Sequence, residues 1–121
     1  MTSNDRGSAS IWVIACALLV LAGGYLIAVR TTAVLLRHRV ETAADLAALA
    51  GANRIGIDAE SCEHARTIAV ANSARLDACS TSVDPLGRSG TVTVRVSTSA
   101  SLPFVGPISV SASARAGRVS R

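Results

Sequence analysis

Hydrophobic and polar positions along this chain change rhythm twice. From Gly7 to Val29 there are 23 consecutive uncharged residues, bounded by Asp5-Arg6 and by Arg30. At 1.5 Å per residue a helix of that length spans about 34 Å, enough for a bilayer core of about 30 Å. Ile11 to Leu21 is almost entirely aliphatic, and Trp12 and Tyr25 lie toward the two ends, where amphipathic rings prefer the interface. Gly23-Gly24 would weaken a soluble helix but is tolerated in a membrane one. The pattern predicts a transmembrane helix over 9–29, after a short segment 1–8. Two processing alternatives compete with an anchor. A secretory signal would be cut after Val20-Leu21-Ala22, but the apolar run continues for seven residues past that point. Val13-Ile14-Ala15-Cys16 has the look of a lipoprotein box, yet too little apolar segment precedes Cys16 and apolar residues follow it. Cys16 reads better as a small buried or lipid-facing side chain.

After Arg30 the period becomes that of an amphipathic helix. Leu36, Val40, Ala43, Ala47 and Ala50 recur at alternating spacings of four and three, a narrow seam. Arg37, Glu41 and Asp45 form a polar stripe, and the first two can pair as ions. No Pro or Gly interrupts Arg30–Ala50. The two helical stretches therefore read as one rod from Ala9 to Ala50, about 63 Å long, its amphipathic part covering 30–52. Ala43/Ala47 and Ala44/Ala48 have the small-xxx-small spacing that lets helix backbones approach closely. The seam packs either on the chain's own small domain or on a neighbouring helix, and both can hold along different lengths. Replacing Ala43 and Ala47 with Leu is expected to abolish assembly in the second case and to do little to a monomer.

Beyond this, residues 53–121 alternate with period two. Gly51-Ala-Asn-Arg-Ile-Gly56 reads as a helix stop and a turn. Asp58 or Ser61 can cap a second helix, with Glu60 and Glu63 near its positive end. Cys62, Ala65, Ala69 and Asn72 mark its inner face, broadened by Ile68. Strands are predicted at Arg75–Val83, at Thr91–Thr98 with Val92, Val94 and Val96 alternating, and at Ile108–Ala114. Asp84-Pro-Leu-Gly87 with Ser89-Gly90 supplies the first turn and Leu102-Pro-Phe-Val-Gly-Pro107 the second. The expected fold class is α+β: a long N-terminal helix, a second short helix, and a small three-stranded antiparallel sheet.

Composition narrows what such a domain can do. Half of the 121 residues are hydrophobic, but 22 of them are Ala and only Trp12, Tyr25 and Phe104 are aromatic. A fully buried large side chain contributes about 1.5–3 kcal/mol, and this chain has few to bury. That argues against a self-sufficient soluble enzyme. The net charge is +4, carried by Arg alone, spread from Arg6 to Arg121 without a cluster. Nucleic-acid binding needs a basic stripe, often with stacking rings, so no nucleic-acid partner is expected. The absence of Lys removes Walker-type loops and Schiff-base chemistry. No Gly-rich phosphate cradle and no hydrolase-type Ser elbow appear. Asp58, Glu60 and Glu63 read as helix N-terminal charges rather than an acid–base pair. His38 sits between two Arg residues beside the membrane, where a solvated or headgroup role is the default. No catalytic residue, cofactor, metal or small-molecule substrate is expected.

Cys62 and Cys79 are the only cysteine pair outside the apolar segment. On one straight helix their Cα atoms would lie about 25 Å apart, whereas a disulfide needs roughly 4.4–6.8 Å. A bridge requires the chain to reverse, and Asn72-Ser73 is a plausible left-handed cap at which a strand Arg75–Cys79 turns back. Such a bridge would contribute about 3 kcal/mol. Metal ligation by Cys62, His64 and Cys79, with His38 as a distant fourth, matches no zinc spacing, and two free thiols are the other alternative. The disulfide reading implies an oxidising compartment. It outweighs the plain count of Arg30, Arg37 and Arg39 against Arg6, which would put the C-terminus in the cytoplasm.

One set of residues carries a family likeness. An Arg-Gly-Ser-Ala start at Arg6–Ala9 precedes the hydrophobic helix, and Arg37-His38-Arg39 leads into Thr42-Ala-Ala-Asp-Leu-Ala-Ala-Leu-Ala50. Cys62…Ala65…Ala69…Asn72…Leu76…Cys79, Val92–Val96 and Ala112–Gly117 follow. This organisation resembles the actinobacterial TadE-like proteins, pilin-like components of tight-adherence (Flp) pilus and secretion loci. The resemblance implies a membrane-anchored, pilin-like, non-catalytic subunit whose N-terminal helix contacts other pilin-like or Tad-type subunits and the lipid bilayer. It also implies cleavage after a Gly, matched by Gly7, with a Glu five residues later to pair with a neighbour's new amino terminus. Trp12 occupies that Glu position. The expected protein is single-pass with a cytoplasmic N-terminus and an extracytoplasmic head. The alternative is a signal-anchored, monomeric extracytoplasmic binding domain.

Overall fold

The structure, a computed structural model, describes residues 5–57 and 59–119. Five elements follow in order: helix α1 Asp5–Ala52, helix α2 Ser61–Ala71, and strands β1 Arg75–Val83, β2 Ser89–Leu102 and β3 Gly106–Val119. The fold is α+β, with the long N-terminal helix, short second helix and three-stranded antiparallel sheet that the hydropathy pattern predicts. Compact packing divides the chain after Val34, so the second unit starts at Leu35, inside α1.

The described residues of the first unit, 5–34, are all helix. Its residues Ile11, Trp12, Leu18, Leu19 and Val20 are exposed in the isolated chain, and the segment is long and apolar enough to cross a membrane once. Thr31 and Thr32 return their hydroxyls to the carbonyls of Ile27 and Ala28 at 2.9 Å, keeping polar side chains compatible with the helix.

The second unit is built on a sheet of order β1-β2-β3. β2 is central and pairs antiparallel with both neighbours, Cys79↔Val94 on one side and Val94↔Ala114 on the other. Val92, Val94 and Val96 point to one face and are fully buried. Val40, Ala43, Ala44, Ala47, Ala48 and Ala52 of α1, with Ala65 and Ala69 of α2, complete that core. Small side chains on the helices let their backbones settle onto β-branched Val, so a domain poor in large residues still closes a dense interior.

The helix stop and turn read at Gly51–Gly56 hold: α1 ends at Ala52 and a turn follows. Gly51 lies in the last turn of α1, where an added Cβ would stand 3.0 Å from both the Ser61 carbonyl and Val92 Cγ1, so close approach also favours a glycine here. Two local expectations are corrected. Ser89-Gly90 belongs to β2 and not to a turn: Gly90 pairs with Val83, and its missing side chain leaves room for the Ser82 carbonyl and Ile55. β2 and β3 are also longer than predicted. They form one hairpin closed at Leu102↔Gly106, so Pro107 is a strand residue opposite Ser101. Pro is accommodated because β3 is an edge strand with no partner required on its outer side.

Candidate functional site

The chemistry that distinguishes this chain is a disulfide holding a helix to a sheet, beside a helix with one face used and one face open. Cys62 in the first turn of α2 and Cys79 in β1 are joined by an S–S bond, with Cα atoms 5.9 Å apart. What brings them together is the end of α2. Asn72 is the last half-helical residue, and its side-chain amide donates to the Ile68 carbonyl at 2.8 Å. Ser73 N–H donates to Val70 O, and Ala74 N–H reaches back to Ala69 O at 2.9 Å. This is a Schellman closure. The left-handed residue is Ser73, at φ 58°, and Asn72 stays at φ −99°. Ala74 and Ala69 are both buried beneath the closure, and β1 then runs back along α2 to bring Cys79 beneath Cys62.

The start of α2 also differs from expectation. Glu60 occupies the N-cap position and its side chain makes no cap hydrogen bond; Ser61 is the first helical residue, buried against Gly51. Asp58, the other expected cap, lies outside the described residues. Because the Cys62 and Cys79 sulfurs are bonded to each other, neither is a thiolate available to a metal. Among the described residues no three His, Cys, Asp or Glu side chains converge. His38 is exposed and lies 3.8 Å from Glu41, which also takes the Arg37 guanidinium at 3.0 Å.

Of the seam residues, Val40, Ala43 and Ala47 are fully buried within the chain's own head, whereas Leu36 and Ala50 are half-buried. Ala44 and Ala48, the second small-xxx-small pair, are buried in the same core. Leu at Ala43 and Ala47 would therefore overpack this core, and that pair of substitutions does not separate an assembling subunit from a monomer. Val34, Leu35, Leu46 and Leu49 are the exposed large apolar residues on this stretch of α1.

Two side-chain arrangements escape sequence reasoning. Arg118 near the end of β3 donates to the carbonyls of Asn53 and Ile55, at 2.9 and 3.3 Å, tying the chain just after α1 to the far edge of the sheet. Nothing local marks Arg118; only the register of the β2–β3 hairpin delivers it. Asp77 sits at a bulge in β1. A hydrogen bond from Ser97 is the main cause that holds its carboxyl below the usual range; burial opposes it, and the Arg75 guanidinium at 3.0 Å and the charge of Arg95 add to the lowering. This is a structural ion-pair cluster on the open side of the sheet. The grooves nearby are open and lined largely by hydroxyls, as at Ser73, Ser97, Thr98 and Ser99.

Residues 7–54, 48 of the chain's 121, match the family model described as "Putative Flp pilus-assembly TadE/G-like". The matched stretch begins at Gly7, runs through α1 and ends two residues beyond it. Neither the curated proteins nor the solved structures give a significant match.

Proposed function

We propose that this chain is a TadE-like, single-pass, structural and non-catalytic membrane subunit of a Flp/Tad-type pilus or secretion assembly. The observation that carries the reading is the coincidence of the family match with α1, a helix whose apolar stretch is exposed along its length. Such a helix needs lipid or other helices around it, because exposed apolar surface on this scale is costly in water. In this reading residues 1–8 stay in the cytoplasm, 9–29 cross the bilayer and 30–52 continue as the amphipathic half. Residues 53–121 complete an extracytoplasmic head that packs on that half. The Cys62–Cys79 bond supports an oxidising location for the head. Cleavage after Gly7 belongs to the same proposal, although Trp12 in place of the expected Glu leaves a new amino terminus without that carboxylate.

One observation favours a second reading, a signal-anchored monomeric binding domain: the head itself consumes Val40, Ala43 and Ala47. Site-specific photo-crosslinkers at Val20 and Leu49 in native membranes decide between the two. Adducts to a second copy or to other pilin-like chains support assembly; adducts to lipid alone support the monomer. Intact mass from the same membranes, with thiols alkylated before and after reduction, adds the processing state. Loss of Met1–Gly7 with Cys62 and Cys79 blocked until reduction is the outcome expected of a translocated, processed subunit.

A further inference from the structure

We infer that the tip of the β2–β3 hairpin, Leu102-Pro103-Phe104-Val105, is a second membrane contact that dips into the lipid interface beside the anchor. The inference rests on the proposed anchoring of α1 in a bilayer.

The direction of β2 relative to the head portion of α1 sets the position of the tip. Val92 meets Gly51 near the end of α1, while Ser99 and Ala100 share a groove with Leu36 and Arg39 near its start in the head. β2 therefore runs toward the end of the head where the chain arrives at Leu35. Two further strand residues and the turn carry Phe104 about 10 Å past Ala100 in that same direction, at about 3.3 Å per residue. Leu35 is only five residues from Arg30, the edge of the apolar run, a reach of at most about 18 Å in any conformation. The hairpin tip thus lies at the end of the head where the chain arrives from the apolar run.

Its chemistry fits that place. Phe104 is fully exposed (101 %) and Val105 is 52 % exposed. Phe104 also adopts a left-handed backbone, φ 64°, where a bulky side chain is disfavoured and Gly or Asn is the cheaper choice. A large apolar ring held out at a strained turn tip is poor for stability in water and suited to an apolar surface. Arg37 and Arg39 are exposed at the same end of the head, and cationic side chains there favour anionic headgroups. The three aromatic residues of the chain would then all lie at interfacial depth: Trp12 and Tyr25 on the anchor, Phe104 on the head.

The test uses the full chain in vesicles of phosphatidylcholine and phosphatidylglycerol, with some lipids brominated close to the headgroup to quench indole fluorescence. Three single-tryptophan proteins are compared: the natural chain with Trp12, and W12F carrying either Phe104→Trp or Leu86→Trp. Leu86 is an exposed apolar residue on the opposite hairpin of the head, beside Gly87, whose carbonyl packs against Gly56. Quenched, blue-shifted emission from positions 12 and 104, with position 86 unquenched, is the expected result. Quenching at 12 but not at 104 overturns the hairpin contact and leaves the anchor intact. Absence of quenching at 12 overturns the anchor on which it rests. Equal quenching at 86 and 104 overturns the directed contact in favour of indiscriminate adhesion.

Discussion

Gly51 of α1 and Val92 of β2 approach so closely that a methyl group on the glycine would stand 3.0 Å from the valine Cγ1. The same methyl would meet the Ser61 carbonyl at 3.0 Å, so three elements converge on one missing side chain. Gly51→Ala gains about 1 kcal/mol of helix propensity but overpacks a fixed backbone oxygen, a cost of about 1–3 kcal/mol. A net loss of about 1 kcal/mol is expected, read as a lower thermal midpoint for the full chain in detergent.

Burial divides the amphipathic half of α1 into residues that fold the head and residues that face outward. Ala47→Leu should destabilise the head by about 1–3 kcal/mol, because Ala47 is fully enclosed. Leu49→Ser, at a residue 53 % exposed, should change stability by no more than about 0.5 kcal/mol. If the subunit assembles through this face, the Leu49 variant loses crosslinks to its neighbours while its denaturation curve stays in place.

The disulfide spans 17 residues of sequence, close to the loop length for which a cross-link contributes about 3 kcal/mol. Cys62→Ser with Cys79→Ser should cost about that amount, and reduction of the natural chain should match the double variant. A midpoint unchanged by reductant would show that the loop is already ordered without its bridge.

Ser73 holds a left-handed conformation that favours glycine. Ser73→Gly relieves a backbone cost of about 1–2 kcal/mol and returns about 0.5–1 kcal/mol through the greater freedom of the unfolded chain. A gain of about 0.5 kcal/mol is expected. The bond from the Thr98 hydroxyl to the Ser73 carbonyl involves only the main chain at position 73 and survives the change. Ser73→Val should move the midpoint the other way.

Asp77 provides a pH signature. Its folded pKa is depressed, first by the Ser97 hydrogen bond and then by Arg75 and Arg95. A depressed acid stabilises the fold above its unfolded pKa, and the contribution is lost as pH falls through the folded value. The midpoint of its carboxyl resonance should therefore lie below 3.8, the value from which it is lowered. Asp77→Asn should lower stability slightly at neutral pH, leave strongly acidic pH almost unchanged, and so flatten the acid side of the stability profile. A carboxyl titrating at or above 3.8 would contradict the cluster.

The sequence by itself determined whatever depends on local pattern. Twenty-three uncharged residues can hardly be anything but an apolar helix, and the absence of a breaker from Arg30 to Ala50 carries that helix onward. The residues Arg75–Val83 read as a strand and are one, and a bridge between Cys62 and Cys79, one of three readings of that pair, required the reversal that the structure has. What only the tertiary structure decided involves partners distant in sequence. β2 and β3 extend past their Val and Ile residues because each pairs with the other, so Ser and Ala positions of little intrinsic preference are held as strand. Gly51 and Gly90 look like punctuation in sequence, yet they are places where backbones from other elements press close. The seam of α1 is a contact surface on either reading, since its period says only that one face is apolar. Which surface covers it was decided by the buried Val row of β2, because Ala on a helix and Val on a strand fit together at a distance that larger side chains would not permit.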